Sequence, residues 1–183
     1  MGVKMKLLLH CCCGPCSLAV IRALLLEGLD EGLSCYFFNP NIHPYQEYQA
    51  RFTAWQELTA HFKLPTLAAA DYPLEDWLRQ VAPDPAGRCH HCYASRLTAT
   101  AKKAIELGCD AFSTTLLISP YQQHERLREM GEAIAATYGL RFFYRDWRPH
   151  FRAGQAAARD MGLYRQKYCG CIYSEKERFC KHE

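Results

Sequence analysis

Apolar and polar positions switch between two periods along this chain, and the switching predicts its elements. Residues 5 to 10 are apolar without a break over Leu7-Leu8-Leu9, as a strand buried on both faces requires, and the run stops at His10. Ser17 to Gly28 reads as the next helix, with Ser17 placed to cap it and Gly28 to stop it. Leu33 to Phe38 is a second strand, entering the turn-rich Asn39-Pro40-Asn41-Ile42-His43-Pro44, from which a long helix, Tyr45 to Phe62, departs. Leu64 to Ala69 predicts a third strand and Leu74 to Val81 a short helix. A Pro-Asp-Pro-Ala-Gly breaker then precedes a helix opened by Cys89 or Cys92 and closed by Gly108. Asp110 to Leu117 supplies a fourth strand, Gln123 to Tyr138 an amphipathic helix ended by Gly139, and Leu140 to Tyr144 a fifth strand. From about Phe151 the pattern weakens into a tail.

Alternating strands and helices imply an α/β fold: a parallel sheet of about five strands with helices on both faces, joined by right-handed crossovers. The 183 residues fit one domain, 1–183, with a C-terminal segment, 151–183, that brings Cys169 and Cys171 back to the site. Ligands of such sheets lie beyond the carboxyl ends of the strands, where Cys11 to Cys16, Asn39 to His43, Ser119 to Gln122 and Asp146 fall. No stretch approaches the roughly 20 apolar residues of a membrane helix, so no membrane partner is expected. The net charge of +3 is compatible with RNA but does not select it.

Chemistry enters with the eleven cysteines. No secretion signal is evident, so a reducing, cytoplasmic setting is expected, in which clustered thiols bind metal or do redox work. A strand end needs apolar groups only at alternate positions on a given face, so packing does not explain the succession Cys11-Cys12-Cys13 followed by Cys16. Cys89 and Cys92 lie one helical turn apart, and Cys169-Gly170-Cys171 adds two more sulfurs. Cys12, Cys13, Cys16, Cys89, Cys92, Cys169 and Cys171 together exceed what one tetrahedral ion binds, which points to a polynuclear or double metal site. Thiolates suit both zinc and iron–sulfur clusters. A structural zinc held by four of them is the plainer alternative. Cys35 and Cys109 read as core thiols, and Cys180 has no evident role.

His43, in a strand-end loop, and Gln122, beside Tyr121 in another, are candidate substrate contacts. Basic and aromatic residues interleave around Tyr144 to Arg148 and Tyr164 to Tyr168, where Arg145, Arg148, Arg165 and Lys167 are candidates for RNA phosphates. No G-x-x-x-x-G-K-[ST] or G-x-G-x-x-G loop is present, and cysteines stand where a nucleotide-binding relative would carry its phosphate loop.

The motifs in order are His10-Cys11-Cys12-Cys13-Gly14-Pro15-Cys16, Phe38 to Pro44 with Glu47, Tyr48 and Arg51, Arg88-Cys89 with Cys92-Tyr93, and Arg96-Leu97. Ser113 to Leu116, Ser119 to Gln122, Tyr144 with Asp146, and Tyr168 to Ser174 complete them. In this series the chain resembles the QueH family of epoxyqueuosine reductases, from about residue 6 to 175. The resemblance implies a single-domain Rossmann-like fold of the nucleotide-hydrolase-like group. It also implies removal of the epoxide oxygen from epoxyqueuosine in the tRNA anticodon loop, the last step of queuosine formation. The implied cofactors are a [4Fe–4S] cluster and a separate single iron ion; the electron donor is unidentified. Some members are expected to use an aspartate where this chain has Cys16, and the softer thiolate would admit zinc in place of iron. Asp146 and Tyr121 are candidate proton sources, and Arg148 a candidate substrate contact. Adjacent side chains at a strand end are expected to diverge, which sends Cys12 and Cys13 to different metals. Cys89 and Cys92, on one helical turn, suit two corners of one cluster, while Gly170 permits either placing of Cys169 and Cys171. Spacing does not choose within the pairs Cys12/Cys13 and Cys169/Cys171; the division taken here is Cys12, Cys89, Cys92 and Cys169 around the cluster, and Cys13, Cys16 and Cys171 around the single metal. An iron–sulfur tRNA sulfur-transferase would need an ATP-binding loop that this chain lacks. A non-catalytic zinc-binding RNA module would carry zinc without sulfide.

Overall fold

A computed structural model describes residues 5–69 and 71–180. Strands β1 (Leu7–His10), β2 (Leu33–Phe37), β3 (Thr66–Ala68), β4 (Ala111–Thr114) and β5 (Arg141–Phe142) form one sheet in the order β3-β2-β1-β4-β5. Every neighbouring pair is parallel; Leu7 sits opposite Leu33 on one side and Ala111 on the other. All four residues of β1 are buried, which accounts for its unbroken apolar run. The helices are α1 (Gly14–Leu26), α2 (Tyr45–His61), α3 (Leu74–Val81), α4 (Arg88–Glu106), α5 (His124–Tyr138), α6 (Phe151–Asp160) and α7 (Ile172–Phe179). The sheet grows in opposite directions from β1, so right-handed crossovers put α1 and α2 on one face and α4 and α5 on the other. Packing agrees: α1 lies against α2 and α6, and α4 lies against α5, β1 and β4. The architecture is a single-domain, Rossmann-like α/β fold. Its strand order reverses between β1 and β4, which opens a crevice above their carboxyl ends. Among the described residues, no helix is long and apolar enough to cross a membrane.

Several boundaries differ from the sequence pattern, each for a local reason. Helix α1 starts at Gly14 rather than Ser17, because Pro15 is already shaped for a first turn and Cys13 takes the capping position in extended backbone. The Ser17 hydroxyl does not cap; it donates back to the Cys13 carbonyl at 2.7 Å. Cys16 therefore sits in the first turn of a helix. Strand β4 stops at Thr114, whose Oγ1 accepts from Leu116 N at 3.2 Å and turns the chain into a 3-10 segment, Thr115–Ile118. Helix α4 opens at Arg88, so Cys89 and Cys92 both lie in its first turns. Gly139 ends α5 in the left-handed region at φ 66°, as the pattern requires.

Among the described residues the weak tail contains two helices. Helix α6 packs on α1 through Gly154, where a Cβ would lie 2.7 Å from the Ala19 Cβ. His10 joins the central strand ends. Its Nε2 faces the Phe38 carbonyl at 3.0 Å and must donate, which leaves Nδ1 to accept from the Thr114 hydroxyl at 2.9 Å. This histidine is a satisfied structural group.

Candidate active site

Cysteines fill the crevice at the β1–β4 switch point. Between β1 and α1 the backbone bends, and the Cys12 amide donates to Thr115 Oγ1 at 3.1 Å, pinning the turn to the end of β4. The sulfurs of Cys12, Cys13 and Cys16 all lie within 4.8 Å of one another, and those of Cys12 and Cys13 are 3.7 Å apart. The divergence expected of adjacent side chains does not occur, because Cys12 and Cys13 belong to a turn rather than to a continuing strand. Hydrogen bonds from Cys13 and Cys16 hold the Cys12 thiol well below its ordinary range. The same bond to Cys12 pushes Cys16 up, and burial pushes Cys13 up. Three thiols this close together exchange their protons for a bound cation. Gln166 Nε2 donates to Cys13 Sγ at 3.0 Å and reaches Cys16 Sγ at 3.8 Å, while its Oε1 is buried without a partner among the described residues.

Four more sulfurs gather alongside. Cys89 and Cys92 from α4, and Cys169 and Cys171 from the loop before α7, line one small cavity together with Asn41, Trp77 and Arg88. The loop is held through its backbone. Arg51, buried in α2, donates from Nη1 to the Cys169 carbonyl at 2.8 Å, from Nη2 to the Tyr168 carbonyl at 3.0 Å and from Nε to Glu47 at 2.7 Å. The His43 amide donates to the Gly170 carbonyl at 2.8 Å. Gly170, at φ 144°, lets the chain pass where a Cβ would meet Ile42 Cγ1 at 3.2 Å and Arg51 Nη1 at 3.3 Å. Cys171 Sγ accepts from the Ser174 amide and caps α7. Gln122 donates to Cys169 Sγ at 3.3 Å and accepts from the Tyr93 hydroxyl at 2.8 Å. Trp77 Nε1 and Arg88 Nε are buried donors without acceptors among the described residues, and both residues border this cavity. Four thiols beside unpaired N–H groups fit an anionic guest whose ligands are sulfur.

A larger cavity of about 720 Å³ opens above the trio. Cys12, Cys16 and Cys169 border it, with Tyr121, Gln122, Phe151 and Phe179 along its sides. Arg165, Lys167 and Arg178 are exposed lining residues. Tyr121 is 83% exposed and meets the Phe151 ring edge-on at 5.9 Å, leaving most of its surface free to stack.

Other expected contacts fall elsewhere. Asp146 and Arg148 pair with each other at 2.6 Å and do not line this cavity. Arg148 holds the Asp146 carboxyl down to about 2, a poor setting for a proton donor near neutrality. His43 is only 2% exposed, packed against Trp77 at 4.7 Å between ring centroids, and serves the site through its amide. Its ring nitrogens have no partner among the described residues, and burial lowers its pKa from 6.5 to about 4. The unfolded chain therefore takes up the proton first as pH falls. Folding stability is expected to drop between pH 6.5 and 4 by up to about 3 kcal/mol from this group. Denaturant melts of the native chain and His43→Gln across that range check it; the variant should show the shallower loss. Sequence reading gave Arg51 and Arg96 no role and passed over Gln166; the only local signals were the i, i+4 spacings of Glu47 with Arg51 and of Cys92 with Arg96.

Fold and site together define a Rossmann-like α/β protein that carries clustered thiols where nucleotide-binding members of this architecture carry a phosphate loop. The family model described as epoxyqueuosine reductase QueH matches residues 7–177, and the chain belongs to that family. Similar proteins described as epoxyqueuosine reductase QueH come from several bacteria. That of Dehalococcoides mccartyi is 38% identical over 96% of each chain. That of Thermotoga maritima is 33% identical over 96% of this chain and 93% of its own length. The Streptococcus pyogenes protein is 33% identical over 96% of this chain and 72% of its own.

Proposed function

We propose that this chain reduces epoxyqueuosine to queuosine in the anticodon loop of tRNA, using a [4Fe–4S] cluster and an adjacent single metal ion. One arrangement carries the reading: three converging buried thiols beneath a cavity bordered by aromatic and basic side chains, in a chain of the epoxyqueuosine reductase family. Following the grouping of the sulfurs, Cys89, Cys92, Cys169 and Cys171 would hold the cluster. Cys12, Cys13 and Cys16 would hold the single ion, iron or, in this all-thiolate setting, zinc. When bound, the cluster supplies electrons singly and the ion supplies Lewis acidity.

The chain's own residues supply the rest. Tyr121 stacks against a nucleobase, and Arg165 and Lys167 take phosphates. Gln122 and Gln166, both bordering the cavity, orient the substrate there. Overall the epoxide takes two electrons and two protons, both C–O bonds break, and an alkene and water leave. Tyr121 is the proposed proton source, in preference to the ion-paired Asp146. The electrons come from an external donor, and the eleven free cysteines suit a reducing cytoplasm.

Stacking on one ring contributes about 1–3 kcal/mol, so Tyr121→Ala is expected to raise KM for substrate tRNA by roughly tenfold or more with iron content unchanged. A kinetic assay with parallel iron analysis checks this, and Tyr121→Phe separates stacking from proton delivery by restoring KM but not kcat. Loss of iron in Tyr121→Ala, or an unchanged KM, would move the RNA face elsewhere.

A further inference from the structure

Arg96 is a buried cation on α4. It is 2% exposed, and no carboxylate among the described residues lies within ion-pair distance of it. A guanidinium cannot shed its proton, so a buried one requires an anionic neighbour. Among the described residues its guanidinium hydrogen bonds go to one residue: Nε donates to the Cys92 carbonyl at 3.0 Å and Nη2 to Cys92 Sγ at 2.9 Å. The thiols of Cys169 and Cys12 also contribute to its electrostatic surroundings, one from each sulfur group. Helical spacing sets this geometry, since Arg96 follows Cys92 by four residues on α4.

We propose that Arg96 is the internal counter-cation of the thiolate site, a positioning residue that raises the reduction potential of the group held by Cys89, Cys92, Cys169 and Cys171. This rests on the proposal that those sulfurs hold an iron–sulfur cluster. Reduction adds negative charge beside a fixed positive charge, and a hydrogen bond to a ligand sulfur acts in the same direction. Arg96 thereby eases electron entry without touching substrate.

The test is an anaerobic redox titration, followed by electron paramagnetic resonance, of reconstituted wild-type, Arg96→Lys and Arg96→Gln proteins. Iron and sulfide are measured on each, and circular dichroism confirms folding. At a fixed applied potential, Arg96→Gln should hold about tenfold less reduced cluster relative to oxidised, a shift of about 59 mV for one electron. Arg96→Lys, which keeps the charge but loses the fork, should shift less. If Arg96→Gln folds but keeps cluster only poorly while Arg96→Lys retains it, the charge requirement stands. A potential unchanged in a cluster-bearing Arg96→Gln, equal shifts in both variants, or loss of cluster from both would overturn the inference. Failure of the wild-type chain to take up iron and sulfide would instead contradict the proposed cofactor.

Discussion

Arg51→Leu is expected to be among the most damaging single substitutions in this chain. The guanidinium serves three acceptors at once: the Glu47 carboxylate and the carbonyls of Tyr168 and Cys169. Glu47 is 9% exposed, and its other oxygen accepts from the Tyr164 hydroxyl. Leucine would leave a buried carboxylate without its cation, which costs about 3–5 kcal/mol. Melting should fall by roughly 2–4 °C per kcal/mol for a chain of this size. The loss is also local, because these bonds fix the loop that carries Cys169 and Cys171. Iron retention should therefore fall even below the melting transition. Arg51→Lys keeps the charge but cannot span three acceptors, so its melting point should lie between those of the native chain and Arg51→Leu. Calorimetry with iron analysis of the folded protein measures both effects; native iron retention in a folded Arg51→Leu chain would show that the loop does not depend on this clamp.

Serine substitutions at Cys171 and Cys12 separate the two ways of dividing the sulfurs. The division taken from the sequence puts Cys12 with the cluster and Cys171 with the single ion, a choice that spacing leaves open within each pair. The folded geometry groups Cys171 with Cys89, Cys92 and Cys169, and Cys12 with Cys13 and Cys16. Under the geometric division Cys171→Ser, like Cys89→Ser or Cys92→Ser, should remove the cluster's visible absorbance. Cys12→Ser and Cys16→Ser should keep that absorbance, lose about one metal atom each, and abolish turnover. Absorbance spectra with metal and sulfide analysis of these variants decide the matter. Bleaching by Cys12→Ser with a native spectrum for Cys171→Ser would restore the division taken from the sequence.

The sequence revealed the fold wherever burial was carried by large apolar residues. Leu7 to Leu9, the amphipathic α5 and the glycine at 139 announced their elements because side-chain size and backbone freedom are local properties. Helix α6 was hidden for a related reason. Its buried positions include Gly154 and Ala158, and a contact made through small residues carries little hydrophobic signal. The 3-10 turn after β4 depended on one hydroxyl, Thr114 Oγ1, choosing a backbone partner two residues away.

The candidate site was legible as a set of sulfurs but not as an arrangement. Composition and spacing picked out Cys12, Cys13, Cys16, Cys89, Cys92, Cys169 and Cys171, since no packing need explains them. How they converge depends on a bend at Cys12 to Cys13 and on Arg51 reaching across 118 residues to the Cys169 carbonyl. Neither has a local signature. His43 and Asp146 stood in strand-end loops, where substrate contacts are common, but burial turned one inward and Arg148 claimed the other.

Epoxide reduction on tRNA is expected to take place over the thiol-bordered cavity of this fold. The most direct measurement is mass analysis of nucleosides from epoxyqueuosine-containing tRNA. The tRNA is first incubated anaerobically with a chemical reductant and chain reconstituted with iron and sulfide. Queuosine, one oxygen atom lighter than its precursor, is expected from the native chain and not from Cys16→Ser, on protein carrying about four sulfides per chain. Unchanged epoxyqueuosine on fully loaded native protein, or protein that takes up zinc and no sulfide, would contradict it.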